Sequence, residues 1–163
     1  MSVKIKNRHR LKNKEIKNIL AQIKTKFQGD FFTIDSAVEI GDLEEFRVVL
    51  VDDEIDFFFV ENSVFFTLRG LYKYKPRENF VVVDMGAIGF VAKGADVMTP
   101  GIVDADIGIQ KDDLVWICDE TYHKPLAVGI ALINGEQMKN KGAGKAIKNI
   151  HYVGDKLWNL IEM

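Results

Sequence analysis

The residues best equipped for chemistry lie in two glycine-bearing stretches, Met98-Thr99-Pro100-Gly101 and Lys141-Gly142-Ala143-Gly144-Lys145, the second followed by Lys148. Glycines set among lysines let a backbone approach a ligand closely while ammonium groups supply charge, a combination suited to phosphate contacts. Nucleotide hydrolysis needs more than this. A P-loop places four residues between its glycines and a Ser or Thr after its lysine, whereas only Ala143 separates Gly142 from Gly144 and Ala146 follows Lys145. In the first stretch Pro100 removes a backbone donor. Gly101 behind it is expected either at positive φ or where another backbone approaches closely, shaping a turn that offers N–H and C=O groups to a ligand.

Other chemistries find little support. His9, His123 and His151 are far apart, without HxH or HExxH spacing and without a cysteine partner, so no metal site is expected. Cys118 is the only cysteine. That rules out an intramolecular disulfide, and its setting in LVWICDE reads as a buried, inert thiol. Caps and turns account for Asp84, Asp96, Asp104 and Asp155, and no Ser/His/Asp constellation can be assembled from them. The expectation is a protein that binds, with no catalytic residue and no cofactor.

The formal charge of −2 argues against indiscriminate coating of nucleic acid, but the charges are unevenly spread. Lys4, Lys6, Arg8, Arg10, Lys12, Lys14 and Lys17 crowd the N-terminus, Lys139, Lys141, Lys145 and Lys148 cluster near the C-terminus, and the middle is acidic. Any polyanion is therefore expected to bind at a local patch, not over the whole surface. No apolar run approaches the roughly 18 to 20 residues of a membrane helix, and MSVKIKNRHR lacks a signal peptide's apolar stretch. A cytoplasmic location without membrane contact is the default expectation.

The elements that must carry these residues can be read from periodicity. Ile16, Ile19, Leu20, Ile23 and Phe27 recur at helical spacing and predict an amphipathic helix over 11–27, with Gly29 just past its end. Its lysines, Lys14, Lys17, Lys24 and Lys26, form either a solvated face or one that touches phosphates. Short strands are expected over 31–36, 46–51, 55–60 and 63–68, with turns at 41–45, 52–54 and 61–62. Phe57, Phe58, Phe59, Phe65 and Phe66 read as core filling for a small domain, with base stacking the alternative. A short helix or turn over 69–75 leads to the charged KPREN segment, the expected domain boundary.

Beyond it, strands over 80–84, 95–98, 102–105, 114–118, 126–133 and 147–153 have the spacing of a small β-barrel. Asp84 is placed to cap a helix carrying Met85, Ile88, Val91 and Ala92, and Gly94 to end it. The expected class is α+β, a small α+β domain (residues 1–77) followed by a β pseudo-barrel (78–163).

The run VDMGAIGFVAKGADVMTPGI (residues 83–102), with GKAIKNIHYVGDKLW (144–158), resembles a PUA domain, the RNA-binding pseudo-barrel of pseudouridine synthases and archaeosine transglycosylases. FTLRGLYKYKP (66–76) and NKGAGKAIKNIHYVGDKLW (140–158) resemble the malignant T-cell amplified sequence family in its archaeal type. The PUA likeness implies RNA contacts at Lys93, Gly94 and Ala95, at Met98, Thr99, Pro100 and Gly101, and along the last strand, including Lys145, Lys148, His151 and Tyr152. Lys141 joins them by charge. His151 is otherwise read as a barrel residue hydrogen-bonded to backbone, and Met98 is read equally as core. The resemblance implies binding of a tRNA acceptor-like end or ribosomal RNA in translation initiation or ribosome recycling. It also implies the small ribosomal subunit and a density-regulated-type protein as partners. The alternative is a subunit presenting RNA to a separate transglycosylase or pseudouridine synthase.

Overall fold

A computed structural model describes residues 4–162, which divide into two compact units, residues 4–76 with 159–162 and residues 77–158. The first unit is an antiparallel meander in the order β1-β2-β3-β4-β5, formed by β1 (Lys6–Arg10), β2 (Val38–Leu43), β3 (Phe46–Val51), β4 (Glu54–Val60) and β5 (Ser63–Phe66). Helix α1 (Asn13–Lys26) follows β1, and α2 (Leu68–Tyr74) follows β5. The helical periodicity buries Ile16, Ile19, Ile23 and Phe27, and Phe27 sets its ring edge-on to Phe65 and Phe66 at 5.7 and 5.0 Å between centroids. Phe57, Phe58, Phe65 and Phe66 are buried and fill the core, while Phe59 is half-buried at the end of β4.

Two expectations fail in this unit. Residues 31–36 form no strand, because Thr33 and Ser36 close a turn on themselves: the Ser36 amide donates to the Thr33 carbonyl and the Thr33 amide to Ser36 Oγ, each at 3.0 Å. Such local bonds compete with a ladder. Phe32 still reaches the core, against Phe57. Conversely, residues 38–43, assigned in part to a turn, are β2. Gly41 is buried there because β1 passes so close that a Cβ would strike the Ile5 side chain. The turn itself shrinks to Glu44-Glu45 between the paired Leu43 and Phe46. The Asp52-Asp53 turn behaves as expected, both residues taking the positive φ that a tight type I′ hairpin requires.

The second unit holds β6 (Phe80–Val83), α3 (Met85–Val91), β7 (Val97–Met98), a 3₁₀ turn (Thr99–Gly101), β8 (Ile102–Ala105), β9 (Leu114–Asp119) and β10 (Pro125–Ala131). Helix α4 (Gly135–Lys139), β11 (Lys145–Tyr152) and the start of α5 (Lys156–Glu162) complete it. The strands form one barrel-like, nearly closed sheet in the order β7-β11-β10-β9-β6-β8. All neighbours are antiparallel except β6 and β9. Its interior is small and β-branched: Val81, Val83, Val97, Ile102, Val115, Ile117 and Ile147, with Met138 brought in by α4. Periodicity did not signal α4. Its helix is short and begins in an Asn134–Gln137 capping box, in which the Gln137 amide donates to Asn134 Oδ1 at 2.8 Å.

Helix α2 is held against β4 by a buried group. Asp56 is fully buried, accepts from Tyr74 Oη at 2.7 Å and pairs with Lys73 Nζ at 2.9 Å. Burial pushes the Asp56 carboxyl above its usual range, against the pull of Tyr74 and Lys73. Gly70 lies so close to the Asp56 backbone that a Cβ would enter the carbonyl oxygen's van der Waals shell. Gly70→Ala is therefore expected to cost about 3 kcal/mol or more, since backbone on both sides must shift. Urea titration of the whole chain measures this; a loss under about 1 kcal/mol would show that α2 slides freely on β4.

Candidate nucleic-acid interface

Helix α3 and its exit are set by short-range signals. Asp84 Oδ1 accepts from the Ala87 amide at 2.9 Å, capping the first turn. At the other end the Gly94 amide donates to Val91 O and the Ala95 amide to Phe90 O, each at 3.0 Å, with Gly94 at φ +93°. This paired closure is the Schellman arrangement, and it needs the left-handed residue that Gly94 supplies. A second reason applies at the same position. A Cβ on Gly94 would lie 2.7 Å from Tyr152 Cε1, so the Tyr152 ring rests on bare backbone.

Strand β11 holds this exit in place. The Asn149 side-chain amide donates to the carbonyls of Val91 and Ala95 at 3.2 and 3.1 Å, and its backbone amide donates to Asp96 Oδ1 at 3.0 Å. Lys145 Nζ stands 3.2 Å from Asp96 Oδ2. The Asn149 bond, with Lys145 beside it, outweighs burial and holds the Asp96 carboxyl below the usual range. Farther along, Thr99 is buried, and both its amide and its hydroxyl donate to the Gly144 carbonyl, at 2.9 and 3.1 Å. The two glycine-bearing stretches of the sequence are thus tied directly together.

Between α3, β7 and the 3₁₀ turn lies an open groove of about 590 Å³, lined mostly by apolar side chains including Phe90, Val97, Met98 and Pro100, with Asp84, Asp96 and Lys145 as its charged groups. Phe90 is 70% exposed and Met98 47%, a heavy exposure of apolar surface around one groove. Such a groove can take a planar apolar face while Lys145 at its margin meets an anionic group.

The expected site residues fall into three positions. Lys93, Met98, Pro100, Lys141, Lys145 and Lys148 are exposed, and Gly94, Ala95, Gly101 and Tyr152 are half-buried beside them. Met98, read equally as core, stands on the surface of β7 opposite Lys145. Thr99 and His151 are buried, each 1% exposed. The His151 ring turns its Nδ1 to the Asp155 carboxylate at 3.0 Å, a partner that the sequence did not signal. Gly101 is a correction: it is not among the residues at positive φ. Its constraint is proximity instead, a Cβ there lying 3.1 Å from that of Ala87. The 3₁₀ turn bends within ordinary φ space, and the small residue admits α3.

Phe90 was missed, although a signal existed. It falls off the stripe made by Ile88 and Val91, so a helix must turn it outward. Asn149 carried no signal at all, since its targets are backbone carbonyls far away in sequence. Cys118 is buried as expected; burial beside Asp119 and Asp104 pushes its thiol up to about 12. Among the described residues no cluster of His, Cys, Asp or Glu could hold a metal ion.

Two outcomes follow from the geometry. Gly94→Ala combines a positive φ with displacement of the Tyr152 ring and should cost about 2 kcal/mol, whereas Gly101→Ala should cost under about 1 kcal/mol. Thermal unfolding of the two variants side by side tests this, and equal losses would remove the special role of Gly94. For Asp155, burial raises the carboxyl's pKa, but hydrogen bonds from His151, Trp158 and Tyr152 prevail and hold it below the usual range. Its folded pKa therefore lies beneath the unfolded value of about 3.9, so this stabilisation is complete above that pH and is lost as pH falls through the folded pKa. Asp155→Asn should accordingly lower stability at neutral pH by about 1 to 3 kcal/mol, and the gap to wild type should narrow below about pH 4. A gap independent of pH would assign the role of Asp155 to shape alone.

Comparison with known proteins agrees with this architecture. The PUA domain model matches residues 79–153, and a domain of unknown function (DUF1947) matches residues 7–74. The chain is 46% identical over 159 residues to an uncharacterised protein of Methanocaldococcus jannaschii, covering 96% of this chain and 98% of that one. It is 31% identical to human malignant T-cell-amplified sequence 2, covering 96% and 92%. With translation machinery-associated protein 20 of Saccharomyces cerevisiae it shares 33% identity, covering 71% and 67%. The crystal structure of a hypothetical protein from Pyrococcus horikoshii superposes with a TM-score of 0.86 at 36% identity, covering 94% of this chain and 99% of that one.

Proposed function

The chain belongs to the malignant T-cell-amplified sequence family, as an archaeal-type member with a C-terminal PUA domain, and on that premise we propose that it binds structured RNA without catalysis, in the service of translation. The observation that carries this reading is the groove. It joins an exposed aromatic ring, an exposed thioether and the ammonium group of Lys145 on the face of the PUA unit where the two glycine-bearing stretches meet. A tRNA acceptor-like end or a ribosomal RNA helix end, with unstacked bases beside ordered phosphates, has the matching chemistry.

Within this reading Phe90 and Met98 pack on a base, and Lys93, Lys141, Lys145 and Lys148 meet phosphates. Gly94, Ala95, Pro100 and Gly101 bring backbone within reach, and Tyr152 offers a ring edge and a hydroxyl. Thr99 and His151 act from beneath, Thr99 by holding the Gly144 carbonyl and His151 through Asp155. The name of the yeast relative supports a place on the translation machinery. Initiation or recycling on the small ribosomal subunit, with a density-regulated-type protein beside it, is the specific form we propose.

Replacing Lys145 and Lys148 together by Ala tests the site. With about three phosphates neutralised at the groove, this site should contribute about −2 to −3 to the wild-type log–log salt slope on a hairpin RNA with a single-stranded 3′ tail. The variant should bind more weakly with a flatter slope and should lose co-sedimentation with small subunits. Unchanged affinity and slope in a folded variant would move the site off this face. A preparation that carries an RNA-modification enzyme and no ribosomal material would instead make the chain a presenting subunit.

A further inference from the structure

Outside the groove, the exposed side of helix α1 is strongly basic. In the first unit three arginines are neutralised by carboxylates: Arg8 by Glu39 and Asp53, Arg47 by Asp42, and Arg69 by Glu54. Lys73 is likewise paired with Asp56. Three lysines of α1 are treated differently. Lys14, Lys17 and Lys24 are exposed, and among the described residues none of them enters an ion pair. The one acid of α1, Glu15, is spent on the backbone amide of Lys12 at 3.1 Å, closing the helix start.

Their spacing makes a track. At 3.6 residues per turn the three side chains fall within an arc of about 80°, on the side turned away from Ile16, Ile19 and Ile23, and span about 15 Å of helix. Ala21 lies within this arc and is exposed, leaving a gap between the lysines that a backbone can enter. The helix is also a fixed platform, since its apolar face is already buried against Phe65 and Phe66. That commitment separates it from a membrane-surface helix, which must free its apolar face to insert. An extended, rigid polyanion fits such a track better than a lipid surface does.

We propose that α1 is a second RNA contact, with Lys14, Lys17 and Lys24 following a phosphate backbone without reading its sequence. The inference rests on the RNA-binding reading above and adds a site in the other unit. A positioning surface of this kind raises affinity for any sufficiently long RNA and leaves selectivity to the groove.

The full-length chain carrying Lys14→Ala, Lys17→Ala and Lys24→Ala tests it, measured on the same tailed hairpin from 0.05 to 0.3 M salt. Its far-UV circular dichroism and melting temperature should match wild type, because all three side chains are exposed. Affinity should fall about tenfold or more at 0.1 M salt, and the slope should flatten by about 2 to 3, whereas the triple Arg variant should keep both. A triple Ala variant with wild-type affinity and slope would overturn the proposal. So would a chain that loses binding to phosphatidylserine vesicles or polyglutamate while RNA binding stays intact. The two sites fail separately: loss only in the Lys145/Lys148 variant leaves the groove reading and removes α1, and loss only in the α1 variant does the reverse.

Discussion

The second unit depends on the side chain of one strand residue reaching into the end of a helix. Asn149 closes the carbonyls of Val91 and Ala95 with its amide hydrogens, while its backbone amide fixes Asp96. Everything around the groove inherits its position from that joint. The exit of α3 becomes rigid, Gly94 presents bare backbone to Tyr152, and Lys145 is set beside Asp96 at the margin. Half-satisfied carbonyls at a helix end are costly when covered, so a single amide serving two of them does more than an average hydrogen bond. The tie between Thr99 and Gly144 does the same at the other side of the groove.

The first unit is organised around aromatic rings and one buried acid. Phe27, Phe57, Phe65, Phe66 and Tyr74 pack in edge-to-face, tilted and stacked pairs, an arrangement that fills a small interior with few residues. Asp56 sits among them because Tyr74 and Lys73 descend on it from α2. A buried carboxylate without those donors would be strongly destabilising, so the α2 sequence and the β4 sequence depend on each other. The absence of a side chain at Gly70 permits the approach.

Charge follows a division of labour. Arg8, Arg47, Arg69 and Lys73 of the first unit are set against carboxylates, and Lys145 at the groove margin is held beside Asp96, whereas Lys14, Lys17 and Lys24 face outward along α1 on flexible stems. Arginine's planar fork suits fixed pairing, and lysine's mobile point charge suits a phosphate track that need not be read base by base. An overall charge of −2 conceals this arrangement completely.

Much of the molecule could be read from the chain alone, for local reasons. The periodicity of Ile16, Ile19, Ile23 and Phe27, the β-branched runs of the barrel, the cap at Asp84 and the stop at Gly94 all act within one or two turns of chain. Their physics needs no distant partner. The sequence likewise marked Lys145 and Gly101, which line the groove. Tertiary structure alone decided the rest, because it turns on contacts between residues far apart in the chain. Asn149 matters through carbonyls of α3, Gly41 is a strand residue because β1 crosses it, and Gly101 is constrained by Ala87 and not by its own φ. Burial made the same kind of choice between Met98, left on the surface, and His151, drawn inside to Asp155. A residue type states what a side chain can do; only the packing of separated segments sets which groups are close enough for it to be done.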